Sequence, residues 1–210
     1  VFGFPISEAP ESVSFDDIEP DFSIDASSFR GLMEQTVFAA AADHSRYAIN
    51  GVHLDLRGSQ IRLVATNGHR LALSTGPCDS HCDSADCIVP TKAMTLLKRL
   101  LHDGGGSVSV KINDGQIIFN VDNEEGTTAT LTSNLVEGTF PPFEDVIPKD
   151  LDRKAVINKD ALHKAVRSAH LMTNEESRGV RLVFDDETLQ ITSRAPETGE
   201  AEIEVSINSF

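Results

Sequence analysis

The sequence predicts an α+β fold in which a domain of two helices packed on antiparallel sheets is repeated along the chain. Stretches with helical spacing of apolar residues alternate with runs of short, strand-like segments, an order typical of α+β domains. The connections are too short for the crossovers that a parallel, doubly wound sheet requires. The same order of segments restarts after residue 155, which indicates a second copy of the domain.

The first predicted helix lies just after residue 25, where Asp25 or Ser27 can cap its N-terminus. Phe29, Leu32 and Met33 then recur at the spacing that puts them on one helical face. Three strand-like runs with alternating apolar residues come next, at Gly51–Leu56, Gln60–Ala65 and Arg70–Ser74.

A second helix is predicted over 91–102, because Pro90 and Thr91 can open it and the Gly-rich run 103–106 ends it. A third helix is predicted over 159–172, in the second copy of the domain. Between these helices lie further strand-like runs, at Ser107–Ile112, Gln116–Val121 and Thr127–Leu131.

The internal repeat keeps its register. The pattern from Gly51 to Leu54 returns at Gly179 to Leu182, 128 residues later, and a following strand repeats at the same offset. The second copy reaches the last residue after its first few strands, so we expect the chain to be a fragment of a longer protein. The expected parts are the end of a preceding domain or a linker at 1–22, a complete domain at 23–148 and a truncated one at 153–210.

The 210 residues carry 18 basic and 33 acidic side chains, and the net charge of −15 by itself argues against a nucleic-acid-binding domain. The distribution changes this interpretation, because residues 1–22 hold six acidic and no basic side chains while two predicted helices are rich in Lys and Arg. No apolar run approaches the roughly 20 residues of a membrane span, so no membrane partner is expected. Three cysteines without an export signal are expected to stay reduced in a cytosolic setting.

Residues 61–71 form the most informative stretch. A strand stops at the turn formed by residues 66–68, and His69, Arg70 and Leu71 follow at its exit. No nucleophile or carboxylate lies within a few residues of His69, which disfavours catalysis. An alkyl group between two polar side chains suits the binding of a short peptide.

Several further motifs stand around this turn in a fixed order. They are Arg46-Tyr47-Ala48-Ile49-Asn50-Gly51-Val52, Val89-Pro90, Leu135-Val136-Glu137-Gly138-Thr139-Phe140-Pro141, Val146-Ile147-Pro148 and Asn174-Glu175-Glu176-Ser177-Arg178-Gly179-Val180-Arg181-Leu182. Together they resemble the bacterial sliding-clamp family, the beta subunit of DNA polymerase III, from about Phe22 to the last residue. The resemblance implies the processivity-clamp fold.

The resemblance also implies a function without catalysis. The intact protein is expected to be a homodimeric ring that encircles double-stranded DNA and tethers the replicative polymerase, which raises effective concentration. Implied partners are the DNA polymerase III core, the clamp loader and other replication and repair proteins, through short linear motifs. No cofactor is implied, and the expected location is the bacterial cytoplasm in association with the nucleoid.

Two sets of site residues follow from the resemblance. Asp145 departs from the family pattern, in which many members carry Arg, so partner motif choice is left open. The peptide-binding cleft is expected at Ile49, Thr66, Gly68, His69, Arg70, Leu71, Pro141 and Val146, with its far wall from the family's C-terminal residues, which the chain lacks. The DNA-facing residues are expected to be Arg46, Tyr47, Lys92, Lys98, Arg99, Lys159, Lys164 and Arg167.

Cys78, His81, Cys82 and Cys87 are a weak candidate for a zinc site. They supply four ligands of the right types but lack paired C-x2-C spacing. The favoured interpretation is an exposed, Ser/Asp-rich loop with free thiols and no metal. Two alternatives to a sliding clamp therefore remain at this point: a clamp-like peptide-binding adapter that does not encircle DNA, and a zinc-dependent enzyme using this loop.

Overall fold

The computed structural model describes residues 15, 18–41, 48–101, 105–122, 126–149, 151–174, 178–196 and 199–209. The chain divides into two compact units, Val1–Glu144 and Asp145–Phe210. In both units helices pack against antiparallel sheets, as the alternation of segments predicts. None of the helices among the described residues has the length and apolar character needed to cross a membrane.

The described strands of the first unit form two antiparallel sheets. One has the order β5-β1-β7-β8-β9 and the other the order β4-β3-β2-β6. In chain order the strands are β1 (Phe22–Asp25), β2 (Gly51–Arg57), β3 (Gln60–Thr66), β4 (Leu71–Pro77), β5 (Asp79–Ser80), β6 (Ser84–Pro90), β7 (Ser107–Asn113), β8 (Gln116–Asp122) and β9 (Thr128–Asn134).

Two helices cover these sheets. Helix α1 (Ala26–Glu34) begins at Asp25, whose carboxylate accepts a hydrogen bond from the Ser28 amide at 2.8 Å. Its buried side chains are those at residues 26, 29, 32 and 33, the face that helical spacing predicts. Helix α2 (Thr91–Leu100) is positioned by Thr91, whose hydroxyl donates to the Asn50 carbonyl at 2.7 Å.

Strand β2 has both faces covered. Val52, Leu54 and Leu56 point into the main core with α1 and α2, while His53 and Asp55, on the opposite face by strand alternation, are also buried. A second, smaller apolar cluster contains Val64, Ile88, Phe140 and Phe143, with Leu71 and Val136 packed against it. The segment after β9 thus covers part of a sheet face that period-2 alternation assigns to solvent.

The described residues of the second unit form one sheet and one helix. Its elements are β10 (Val156–Ile157), α3 (Lys159–His170), β11 (Arg181–Phe184), β12 (Thr188–Ala195) and β13 (Gly199–Ser209), with the sheet order β10-β13-β12-β11. Asn158 caps α3 by accepting hydrogen bonds from the amides of Asp160 and Ala161, each at 3.0 Å. Ala165 and Ala169 pack on the sheet.

One prediction about the first unit was wrong. Residues 78–87 were expected to form an exposed loop, but Cys78 and Cys87 are buried and Cys87 lies within β6. The physical reason is that β6 pairs with β2 along seven residues, from Ser84 to Pro90, so alternate side chains of this stretch face the core.

Candidate functional site

A network of hydrogen bonds fixes the turn that connects β3 to β4. The Thr66 hydroxyl donates to the Arg70 carbonyl at 2.7 Å and accepts from the Gly68 amide at 3.1 Å. The Asn67 carboxamide oxygen accepts from the amides of residues 69 and 70, both at 3.1 Å. Gly68 has a φ of +86°, a conformation that L side chains rarely adopt. The turn is therefore locally determined, as its sequence predicts.

The turn presents two polar side chains to solvent, His69 and Arg70. The Arg70 guanidinium donates to the Phe38 carbonyl at 2.7 Å and lies 5.7 Å from the centre of the Phe38 ring. The Phe38 ring is 60% exposed. Phe38 thus joins the predicted peptide-binding surface, although no motif in the sequence marks it.

Leu71 provides the apolar side of this surface. It packs, half-buried, against the cluster that contains Phe140 and Phe143. Pro141 is half-buried and lies in sequence between these two aromatic residues. The structure therefore brings together the turn residues, Leu71 and the segment around Pro141.

Two of the predicted cleft residues are not members of that cluster. Ile49 is half-buried in the short 3₁₀ turn Ala48–Asn50, where its carbonyl accepts from the Ala41 amide at 3.1 Å. Val146 belongs to the second unit and is 68% exposed. Their membership of the cleft stays a prediction.

A charged network lies on the face of β2 and β3 that carries His53 and Asp55. Arg62 donates two hydrogen bonds to the buried Asp55 carboxylate, and Arg57 donates a third at 3.2 Å. Burial raises the pKa of the Asp55 carboxyl, but the hydrogen bonds from Arg62 and Arg57 outweigh burial and hold that pKa below its ordinary value. The same hydrogen bond to Asp55 raises the pKa of the Arg62 guanidinium. Asp55 is therefore an ionised group inside the fold.

Comparison with protein-family models gives a match along most of the chain. The DNA polymerase III beta subunit, central domain, matches residues 23–142, and the DNA polymerase III beta subunit, C-terminal domain, matches residues 144–209. The chain belongs to the DNA polymerase III beta subunit family. This confirms the resemblance that the ordered motifs indicate, and the turn at residues 66–71 falls within the matched central domain.

Individual sliding clamps are similar to this chain. The beta sliding clamp of Salmonella typhimurium is 36% identical over 184 residues, which cover 88% of this chain and 49% of that protein. A crystal structure of the sliding clamp from Pseudomonas aeruginosa has a TM-score of 0.85 at 34% identity and covers 99% of this chain and 55% of that one. Another, bound to griselimycin, has a TM-score of 0.83 at 32% identity, with coverages of 99% and 55%. The processivity-clamp fold is confirmed, and the chain spans about half the length of the sliding clamps it matches.

Six of the eight predicted DNA-facing residues lie on two helices. On α2, Lys92 and Arg99 are exposed, while Lys98 lies 3.8 Å from Glu34. On α3, the side chains of Lys159, Lys164 and Arg167 are all exposed. Arg46 and Tyr47 lie outside the described residues. Each helix thus offers cations to solvent on the face opposite its core contacts.

Two of the three cysteines in the weak candidate zinc site are buried. Burial, followed by the charge of Asp86, raises the pKa of the Cys87 thiol to about 12, and burial followed by Asp79 raises the pKa of Cys78. Zinc is bound by the thiolate, the form of the thiol that burial disfavours at these two positions. Among the residues that the structure describes, which include Cys78, His81, Cys82 and Cys87, no three His, Cys, Asp or Glu side chains are grouped to hold a metal ion.

Proposed function

We propose that this chain is part of a sliding clamp that encircles double-stranded DNA and tethers the replicative polymerase for processive synthesis. The observation that carries the proposal is membership of the beta subunit family over two consecutive domains. The mechanism is topological. A ring around the duplex keeps the polymerase close to its template and raises its effective concentration, so the clamp performs no bond chemistry and needs no cofactor.

The surface around the turn at 66–71 is the proposed docking site for short linear motifs of partner proteins. Leu71 and the segment at Pro141 supply apolar contacts, and His69 and Arg70 supply polar groups, which suits the anchoring of one or two hydrophobic side chains. The buried Thr66 and the positive φ of Gly68 support a preformed turn. Ile49 and Val146 complete the proposed set, and partners of this kind are the polymerase core, the clamp loader and repair proteins.

The exposed cations of α2 and α3 are proposed to meet the DNA backbone. Phosphate contacts of this type are independent of base sequence, so they hold a ring on DNA without fixing its register. Arg46 and Tyr47 are proposed to add a phosphate contact and a stacking ring. The net charge of −15 is consistent with a ring whose outer surface is acidic. An acidic outer surface repels DNA phosphates and so reduces binding of DNA outside the ring. We also propose a homodimeric ring for the full-length protein and a cytoplasmic, nucleoid-associated location.

A two-dimensional amide NMR titration of the 210-residue chain with the peptide Gln-Leu-Ala-Leu-Phe tests the docking site. We expect shifts confined to the amides of residues 66–71, Ile49 and the neighbours of Pro141. Griselimycin, present in one Pseudomonas aeruginosa clamp structure, provides a second probe. A dispersed spectrum with no shifts at millimolar peptide would remove the docking site from the proposal and leave the fold intact.

A further inference from the structure

The segment that carries Pro141 has little regular structure of its own. Between the end of β9 at Asn134 and the 3₁₀ turn Phe143–Val146 the backbone forms neither helix nor strand. Its two aromatic side chains, Phe140 and Phe143, nevertheless lie buried in the cluster that Leu71 contacts. Backbone hydrogen bonds from the Leu135 and Val136 amides hold the start of the segment, and side-chain contacts with the sheet hold the residues around Pro141.

Arg62 on β3 contacts two residues of the segment. Its Nη1 donates to the Glu144 carboxylate at 3.1 Å, and its guanidinium carbon lies 5.6 Å from the centre of the Phe143 ring. A guanidinium can make both contacts at once because its plane stacks on the ring while its edge donates hydrogen bonds. One side chain thus links the sheet to consecutive residues of the segment.

Asp55 on β2 fixes the orientation of Arg62. Its side chain is only 6% exposed, and it accepts from Arg62 Nε at 3.0 Å and also from Nη2. Both donors converge on one oxygen, Asp55 Oδ2, and two bonds from the same edge of the guanidinium limit how far the group can rotate. Arg62 cannot turn away from the segment without depriving a buried carboxylate of its main partner, which is costly.

His53 holds the other end of the segment. Its ring stacks on Phe140 with centres 4.8 Å apart and an interplanar angle of 10°. Its Nε2 lies 2.6 Å from an oxygen of the Asp86 side chain, a hydrogen bond that fixes the edge of the ring. His53 and Arg62 therefore contact Phe140 and Phe143, the aromatic residues on the two sides of Pro141.

We propose that Arg62 is a positioning residue of the peptide-docking surface: anchored on Asp55, it holds Phe143 and Glu144 so that Pro141 and Leu71 present one fixed arrangement to a bound peptide. The inference rests on the proposed function of that surface. Arg62 acts through its neighbours and needs no contact with the peptide. Holding the segment in advance strengthens binding because the peptide does not have to order it.

Two exposed residues provide a matched pair of variants. Glu144→Gln removes the charge that Arg62 pairs with on the segment, at a side chain that is 57% exposed. Arg57→Gln removes the other guanidinium bonded to Asp55, at a side chain that is 66% exposed and whose ion pair among the described residues is with Asp55 alone. Both variants change one exposed side chain that forms an ion pair in this network, but only the first loses a contact with the segment.

A third variant removes Arg62 itself. Arg62→Met alone leaves the buried Asp55 carboxylate short of its partner and endangers folding. The double variant Asp55→Asn with Arg62→Met avoids this, and adding Glu144→Gln to it shows whether Glu144 acts only through Arg62. The readouts for the full 210-residue chain are the Kd for Gln-Leu-Ala-Leu-Phe by NMR titration and the amide hydrogen exchange of Phe143 and Glu144 without peptide.

We expect Glu144→Gln to raise the Kd about two- to fivefold, the range for loss of one exposed ion pair, and to speed exchange of the two amides. Arg57→Gln should change neither, the double variant should weaken binding further, and Glu144→Gln should add nothing to it. If the wild-type chain binds the peptide and every variant binds it with the same Kd, the positioning role is overturned and the docking site is unaffected. Absence of binding by the wild-type chain would overturn the docking site, and the positioning role with it.

Discussion

Leu54 on β2 and Leu182 on β11 occupy equivalent positions in the two repeated units, yet Leu54 is fully buried and Leu182 is 45% exposed. The difference follows from what covers each strand, since Leu54 belongs to the main core with α1 and α2, whereas Leu182 is outside the core cluster described for the second unit. In the first unit β2 lies between β3 and β6, whereas in the second unit β11 pairs only with β12 and forms an edge of the sheet described here. Phe184, equivalent to the buried Leu56, is exposed for the same reason.

An apolar edge strand favours self-association. We expect replacement of Leu182 and Phe184 together by Lys to lower both the binding of a hydrophobic dye and the sedimentation-average mass of the 210-residue chain at high concentration. The control places the same charge on the opposite face of the sheet, with Thr192 and Ser206 replaced by Lys. Equal effects of the two double variants would show that charge alone, and not the apolar edge, governs association.

Gly51 is required by close packing at the start of β2. A Cβ at this position would lie 2.6 Å from the Ile88 Cγ2 atom and 2.8 Å from the Val89 carbonyl oxygen, so the backbone would have to move. We expect Gly51→Ala to lower the free energy of unfolding by about 1–3 kcal/mol, measured by urea denaturation.

Gly31 supplies the control for that measurement. It lies in α1, and a Cβ added at this position would meet nothing within 4 Å, so Gly31→Ala should stabilise the chain by about 0.5–1 kcal/mol through helix propensity. A loss of stability in both variants would contradict the packing explanation.

Gly68 is required by backbone conformation instead of space. Its φ is +86° and a Cβ would meet nothing within 4 Å. Gly68→Ala should cost about 1–2 kcal/mol of folding free energy and should weaken the binding of the test peptide, because the turn at 66–71 must relax. Gly58, with φ of +54° in the β2–β3 turn and equally open surroundings, is the matched control. Gly58→Ala should lower stability and leave the peptide Kd unchanged; weakened binding in both would argue against a specific role of the 66–71 turn.

The lowered pKa of the Asp55 carboxyl predicts how the free energy of unfolding depends on pH. The carboxyl has a pKa below the ordinary value of 3.8 in the folded chain. The carboxylate therefore contributes stability that is fully present above pH 3.8 and is lost as pH falls through the lowered pKa. Asp55→Asn should reduce the difference in unfolding free energy between pH 7 and pH 3, measured by urea titration. An unchanged difference would show that other carboxylates dominate the loss of unfolding free energy at low pH.

The different burial of the cysteine thiols predicts the order in which an alkylating reagent modifies them. Cys87 is buried in β6 with its pKa raised to about 12, whereas Cys82 is half-buried. Since the thiolate is the reactive form, iodoacetamide at pH 8 should modify Cys82 in the folded chain and reach Cys87 only after urea denaturation. Mass spectrometry of the digested protein measures both sites. Rapid modification of Cys87 without denaturant would contradict its place in the core.

Local features of the fold could be predicted because they depend on neighbouring residues. Asp25 caps α1 through an amide three residues away, and the turn that contains Gly68 closes through bonds within five residues. The family could be identified for a related reason, since its motifs are short and ordered. The peptide-binding and DNA-facing assignments came with that resemblance and stay predictions.

Polar residues on β2 show what alternation could not predict. His53 and Asp55 alternate with Val52, Leu54 and Leu56, a pattern that normally marks a solvent-facing side. They are buried because a segment more than eighty residues later in the chain folds over them. Phe38 was missed similarly, since its partner Arg70 is 32 residues away.

The sequence by itself determined the α+β class, the repeat, the helix cap, the 66–71 turn and the family, because each is encoded by spacing over a few residues or by motifs in order. Tertiary structure alone decided that the cysteine stretch enters the core, that β11 is an exposed edge, and that Arg62 links Asp55 to Glu144. These depend on which distant segments cover a given face, and burial and ion pairing between distant segments have no periodic signature along the chain.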